Sequence, residues 1–486
     1  MMLYESDRLR LEAVDRVATL WLDSSDGNMT SRPLLRELDG AMNVAAGHPN
    51  LEVLVIRSGR AGVFLVGPST ADYEALGDAE LRRDFSFAGQ RLHDRIRQIS
   101  RRTRTVALIE GVCRNAGLEL ALACDFRLAI ARPETQIGCD YLERGRLPCH
   151  GAAVRLPRQI GLHNALDMLM HSRDIPARAA KQLGLVDHAF GPRPAKTELW
   201  WFIADLQARA PRRTVRRRFL SRVREHRWLF RQTVISKFEN IDSAQGKVLL
   251  NTVMQGWCKS QAEGFAAERT AFVRDCLHPD SAALRARSRR HEQLMAQFGD
   301  ICSPRLVAIA GAGETGSKLA AIALRGGCDV AIWETDTIQR FEGKRRLERL
   351  LRQAVDDGWL NAIEAGQKRD ATHVSKHDVG FDAAELILLT GSGDTQQRDL
   401  TRLDACSDEN AVLVTINFSP AMQDLRRPRR VVSLRFAGGD SRDVEIVPTS
   451  LTAEATTAKL YFWLTRCGLR PKLSATSAAE PALFAA

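Results

Sequence analysis

Gly111-Val112-Cys113-Arg114-Asn115-Ala116-Gly117-Leu118-Glu119-Leu120-Ala121-Leu122-Ala123-Cys124-Asp125 is the stretch from which the rest of the chain can be read. A β-like run, Val106-Ala107-Leu108-Ile109, feeds a tight turn of small residues. The turn opens an apolar helix in which Glu119 is the only charge before Asp125. A carboxylate in such a run is either poorly solvated or placed for chemistry. N–H groups at a helix start are unpaired and point outward, so they suit a developing oxyanion. The pattern suggests a carboxylate beside an oxyanion-binding turn. A solvated glutamate behind an ordinary small-residue turn would leave the same trace.

The length of 486 residues allows about three domains. With 44% hydrophobic and 27% charged residues the chain can bury a core, which argues against disorder. A net charge of +11 and a pI near 9.4 favour anionic partners, among them nucleic acid, acidic protein and the phosphates of a nucleotide cofactor. No basic motif interleaved with aromatics is present, so nucleic acid is a minor option. The ten cysteines are scattered, with no C-x-x-C pair and no Cys/His spacing of a metal site. They read as reduced thiols of a cytoplasmic protein with no bound metal. The N-terminus lacks the apolar core of a signal peptide, and no apolar run reaches spanning length, so no membrane segment is expected.

Taken in order, residues 9–23 alternate as two strands, residues 31–46 form a helix, and Val53-Leu54-Val55-Ile56 is a strand. Residues 191–300 read as mostly helical, with a basic run at residues 212–218 that suits a solvated helix face. Residues 284–297 read as a long linker helix. A boundary falls at Cys302-Ser303-Pro304. A strand at residues 305–310 then leads into Gly311-Ala312-Gly313-Glu314-Thr315-Gly316, which opens a helix. A second strand at residues 328–333 ends at Glu334. Strand, glycines, helix, strand and acidic residue in this order are the dinucleotide fingerprint, with Gly311, Gly313 and Gly316 for the phosphates and Glu334 for the ribose hydroxyls. Glu314 sets a carboxylate where the pyrophosphate would sit, so NAD is possible but doubtful there.

The segment from Val106 to Arg158, with Arg155-Leu156-Pro157-Arg158-Gln159-Ile160-Gly161 and Leu183-Gly184-Leu185-Val186-Asp187, resembles the crotonase (enoyl-CoA hydratase/isomerase) superfamily. Over residues 1–474 the order of segments resembles the α-subunits of bacterial fatty-acid β-oxidation multienzyme complexes. The resemblance implies an α/β chain. A crotonase-like ββα spiral (1–190) would precede a helical region and linker helix (191–300). A Rossmann-like, doubly wound NAD-binding-type domain (301–474) and a flexible tail (475–486) would follow. It further implies an acyl-CoA or acyl-carrier thioester as substrate, and a homo-oligomer or partner enzyme.

Its site residues carry over one at a time. The family's Phe-x-x-Gly-Ala-Asp falls on Phe64-Leu65-Val66-Gly67-Pro68-Ser69, and the Ala N–H is one oxyanion donor. Proline has no N–H, so Pro68 cannot supply it unless the loop is shifted. The other donor falls on Ala116. Glu119 stands at the first catalytic glutamate, and the second falls on Tyr141, a poor base at neutral pH. A register shift would bring Asp140 or Glu143 there, and the match of Gly145-x-x-Pro148 argues against it. Cys149, followed by His150, stands where a dehalogenase branch of the fold carries a nucleophile. Near a helix start and an imidazole its thiol should have a lowered pKa. In the second half, Arg435 falls on the dehydrogenase's catalytic His and Glu445 on its partner Glu. Arginine does not deprotonate in proteins and cannot take the hydroxyl proton. Thr390-Gly391-Ser392 replaces a Glu-Ala step, and the family's C-terminal helical domain is not expected after residue 474. The expected function is a diverged crotonase-type reaction with an inactive dehydrogenase half. A non-catalytic acyl-CoA- or nucleotide-binding scaffold is the alternative.

Overall fold

The computed structural model describes residues 1–172, 174–191, 195–208, 243–298, 304–358, 360, 362–391, 393–436 and 443–474. The basic run at 212–218, Ser392 and the tail from 475 lie outside them. The chain divides into two compact units, Met1–Gln293 and Leu294–Ala486.

In the first unit the alternation at the N-terminus becomes an antiparallel pair, Leu9–Val14 and Val17–Leu22, in register from Leu9↔Leu22 to Val14↔Val17. Every second residue faces the core, as the period of two requires. Among the described residues, the larger sheet runs in the order Met2–Glu5, Leu9–Val14, Val17–Leu22, Val53–Ser58, Arg104–Ile109, Phe126–Ile130, His188–Phe190. A smaller sheet runs Asp174–Pro176, Gln136–Gly138, Gly111–Arg114, Gly62–Leu65.

The chain repeatedly steps from the larger sheet to the smaller and then into a helix. Arg104–Ile109 continues through Gly111–Arg114 into the helix Ala116–Ala123. Phe126–Ile130 continues through Gln136–Gly138 to the helix Ala152–Ile160. This is the expected ββα spiral. Gly111 makes one step possible. Its φ is +146°, and a Cβ there would stand 2.1 Å from the carbonyl carbon of Gly62. The helix Ala116–Ala123 is buried on all sides, which explains its lack of a polar face.

The helices Ala244–Cys258 and Gln261–Asp275 lie in the stretch expected to be mostly helical, and they belong to the core of the first unit. Leu249, Val253, Met254 and Phe272 share one apolar cluster with Leu118, Leu120 and Leu156. The helix Ala282–Phe298 is found where a linker helix was expected. Its Ser288 and Glu292 reach Thr70, so it is more than a connector.

The second unit holds a sheet in the order His373–Ser375, Asp329–Trp333, Leu306–Ala310, Leu386–Leu389, Val412–Ile416, Val431–Phe436, Asp443–Pro448, Arg470–Leu473. The first six strands in this order are parallel, and from Leu306–Ala310 the chain adds strands first on one side and then on the other, as in a doubly wound dinucleotide fold. Leu386–Leu389 and Val412–Ile416 are buried throughout because both faces of the sheet are covered. Among the described residues no helix is long and apolar enough to cross a membrane.

Candidate active site

The turn before Glu119 is held in an uncommon conformation. Asn115 has φ +52° and ψ −114°, a region that non-glycine residues rarely enter. Its buried amide compensates by a reciprocal pair with Asp140. Nδ2 donates to Asp140 Oδ1 at 2.6 Å, and Asp140 N–H donates to Oδ1 at 3.0 Å. Arg144 donates to the other carboxylate oxygen at 2.6 Å. Arg144 and Arg114 hold Asp140 ionised, its pKa far below the usual range in spite of burial. The helix that follows has no side-chain cap, so the Ala116 N–H opens it unpaired by the cap. Gly117 lets the helix dock, since a Cβ there would stand 1.9 Å from the Leu65 carbonyl oxygen.

Glu119 is 1% exposed. Its Oε1 accepts from the N–H of His150 at 2.9 Å and of Ala152 at 3.0 Å. Both groups sit at the start of the helix Ala152–Ile160, whose positive end favours an anion. Oε2 faces His150 Nδ1 at 3.8 Å, beyond hydrogen-bond range. His150 Nε2 lies 3.2 Å from the Phe85 carbonyl oxygen. A carbonyl only accepts, so Nε2 carries the hydrogen and Nδ1 of the neutral ring is an acceptor. Burial lowers the His150 pKa, which keeps the ring neutral. Gly89 makes room for it: a Cβ there would stand 2.2 Å from His150 Cδ2.

Pro68, Tyr73, Phe85, Asn115, Ala116, Glu119, Tyr141, Arg146, Leu147, Cys149 and His150 line one cavity of about 20 Å³. The structure thus brings together all the residues expected at the thioester except Gly67, which does not line it. Gly67 instead backs onto Asn115, where a Cβ would approach that of Asn115 to 3.2 Å. The expectation for Cys149 is overturned. Burial, then the charges of Glu119 and Glu268, push its thiol pKa well up. The adjacent imidazole turns to Phe85, so the local effect of the helix start is outweighed. Tyr141 is likewise held as a phenol by burial and by Glu119.

In the second unit two of the three glycines are required by the turn itself. Gly311 has φ +111° and abuts Thr390 Oγ1, and a Cβ on Gly316 would stand 1.9 Å from the Gly311 carbonyl oxygen. Gly313 has nothing within 4 Å of an added Cβ, so the helix start is open. Glu334 accepts from the Ala312 N–H at 3.1 Å and the Asp336 N–H at 3.0 Å. Glu314 is exposed and pairs with Lys318 at 2.9 Å, one turn along the helix. Arg435 pairs across the strands with Glu445 at 3.9 Å. Among the described residues no group of three or more His, Cys, Asp or Glu is placed to hold a metal ion.

The family profile described as enoyl-CoA hydratase/isomerase matches residues 13–214. That described as 3-hydroxyacyl-CoA dehydrogenase, NAD binding domain, matches residues 306–472. Residues 13–214 are thus similar to the enoyl-CoA hydratase/isomerase family, and residues 306–472 to the dehydrogenase NAD-binding family. A fatty acid oxidation complex subunit alpha of Aliivibrio fischeri is 26% identical over 388 residues, 77% of this chain and 52% of the relative. The chain therefore spans about half the length of that curated relative. An enoyl-CoA hydratase of Geobacillus kaustophilus is 24% identical, with 42% of this chain and 75% of that one covered at a TM-score of 0.40. A 3-hydroxybutyryl-CoA dehydrogenase of Escherichia coli is 19% identical, with 35% and 38% covered at a TM-score of 0.33.

Two groups beside the Glu119 cavity escaped sequence reading. Arg146, within Gly145-x-x-Pro148, is buried and donates to the Pro68 carbonyl at 2.5 Å and to Thr70 Oγ1 at 2.6 Å. Its charge was visible in the sequence, but not its direction. Glu268 comes from the helix Gln261–Asp275 and is fully buried. Its Oε2 accepts from the Ala153 N–H at 2.9 Å. Burial, then Glu119, push its pKa up to about 8. No local signal marked it, because it sits outside the family's motif segments.

Proposed function

We propose that the first unit carries out proton-transfer chemistry on an acyl-CoA or acyl-carrier thioester, with Glu119 as the acid/base. The observation that carries this reading is the asymmetry of the Glu119 carboxylate. Oε1 is pinned by two backbone N–H groups, while Oε2 is left for exchange beside a neutral His150. A thioester carbonyl beside the Ala116 N–H would be polarised. The α-C–H bond breaks, the proton passes to Glu119 Oε2, and the electron pair moves to the thioester oxygen. Return of the proton to another carbon completes an isomerisation. Addition of water needs a second base, and a phenol held protonated is a poor one.

Incubating a panel of acyl-CoA esters with the protein, with and without NAD, and following them by mass spectrometry tests this. One ester should be consumed, and Glu119→Gln should lower its turnover by about 10²-fold or more. Equal turnover by the variant would remove Glu119 from the chemistry.

A second reading, a binding or scaffold protein without turnover, draws on Pro68 and on the cavity. About 20 Å³ compares with about 300–1,000 Å³ for ordinary ligand sites. A melting-temperature shift with CoA esters that are never consumed would favour it.

For the second unit we infer a nucleotide-binding turn without dehydrogenase activity. Gly311, Gly313 and Gly316 would hold the pyrophosphate of NAD and Glu334 its ribose. NAD, when bound, accepts a hydride. Arg435, paired with Glu445, cannot accept the proton that must leave the hydroxyl. Stoichiometric NADH from a 3-hydroxyacyl-CoA would overturn this. A cytoplasmic location and a second copy or partner enzyme belong to the same reading.

A further inference from the structure

Two residues that line the Glu119 cavity each carry a buried hydrogen-bond donor without an acceptor. Among the described residues neither Tyr141 Oη nor Arg146 Nε has a hydrogen-bond partner. Both residues line the cavity together with Ala116, Glu119 and Pro68. A buried donor left unmade costs about 1–3 kcal/mol. Two of them around one small space mark a place built for an oxygen atom. The volume agrees, since about 20 Å³ admits one water-sized group.

The rest of Arg146 is fixed. One terminal nitrogen donates to the Pro68 carbonyl at 2.5 Å. The other donates to Thr70 Oγ1 at 2.6 Å and lies 3.3 Å from Glu292 Oε1. The guanidinium also lies over the Tyr73 ring at 5.1 Å. Glu292 is itself anchored by the Thr70 N–H at 2.7 Å. The guanidinium therefore cannot swing away, and Nε–H is its spare donor. On Tyr141, burial and the Glu119 charge keep the hydroxyl hydrogen in place.

We propose that Tyr141 Oη–H and Arg146 Nε–H furnish the oxyanion donors that Pro68 cannot, with the thioester oxygen seated between them and the Ala116 N–H. The inference rests on the thioester reading above and deepens it. The site lost a backbone donor by covalent chemistry and has side-chain donors in its place. When Glu119 takes the α-proton, the C–H bond breaks, a C=C bond forms, and the negative charge arrives on the oxygen that these donors face.

Acetoacetyl-CoA is the probe, because its enolate absorbs in the near ultraviolet where the keto form does not. Difference spectra should show enolate on the wild-type protein, with calorimetry giving the binding constant. Tyr141→Phe keeps the ring and removes the donor. Arg146→Lys keeps the charge and removes Nε–H. Each should lower the enolate fraction by about tenfold to a hundredfold, while the melting temperature of Tyr141→Phe stays near that of wild type. Binding by wild type with the enolate signal unchanged in both variants would overturn the donor assignment and leave the thioester reading standing. No binding by wild type would overturn both.

Discussion

Glu119 and Glu268 accept hydrogen bonds from successive residues of one helix start, Ala152 N–H to Glu119 at 3.0 Å and Ala153 N–H to Glu268 at 2.9 Å. Burial, then the Glu119 charge, disfavour ionisation of Glu268. The helix start favours negative charge, yet burial and mutual repulsion push one proton back on. Glu268 is the group that holds it.

This arrangement fixes a pH dependence. With its pKa raised to about 8, Glu268 binds a proton more tightly in the folded than in the unfolded chain, where a glutamate titrates near about 4.3. Its stabilising contribution is complete below the unfolded value and is lost as pH rises through the folded one. Glu268→Gln keeps an acceptor for Ala153 and has no proton to lose. The Tm of the variant relative to wild type should therefore climb between about pH 5 and about pH 8. Parallel Tm curves in calorimetry would contradict the raised pKa.

Gly89→Ala should disturb the same site from the side. Its new methyl would stand 2.2 Å from His150 Cδ2, so the ring must move, at a cost of about 1–3 kcal/mol. In a double-mutant cycle with His150→Ala the two losses should be less than additive, because removing the ring removes the clash. Strict additivity in denaturant unfolding would disprove the contact.

Cys149 should resist alkylation. Its thiol is buried and its pKa is well raised, whereas Cys258 and Cys406 are exposed. Peptide mapping after iodoacetamide treatment at mildly alkaline pH should find label on Cys258 and Cys406, and on Cys149 only in denaturant. Rapid labelling of Cys149 in the folded protein would restore it as a candidate nucleophile.

Two glycines of one motif should answer differently to substitution. Gly316→Ala drives a methyl to 1.9 Å from the Gly311 carbonyl oxygen, whereas Gly313→Ala meets nothing within 4 Å. The first should lower Tm by several degrees, and the second should leave the unfolding free energy within about 0.5 kcal/mol of wild type. Equal effects in thermal melts would contradict the turn geometry.

Much of this was legible in the chain. Alternation placed the Leu9–Val14 and Val17–Leu22 strands, and the glycine spacing located the nucleotide turn. The reading of Cys149 failed for a physical reason. A helix start is a local signal, but the burial and the two carboxylates that outweigh it come from elements distant in sequence. The packing of the 244–276 helices was not legible for a similar reason. Their apolar residues gave no indication of which core they would join.

The sequence by itself placed many of the strands and helices, the position of Glu119 and the chemical limits of two residues. Proline lacks an N–H and arginine keeps its proton in any fold, so Pro68 and Arg435 needed no coordinates to be read. Tertiary structure alone decided which groups stand around Glu119. It brought Glu268 from a later helix to the start of Ala152–Ile160, and it pointed Arg146 inward, pinned by Pro68 and Thr70. Burial and electrostatic coupling depend on what surrounds a side chain in space, and periodicity along the chain carries no record of that.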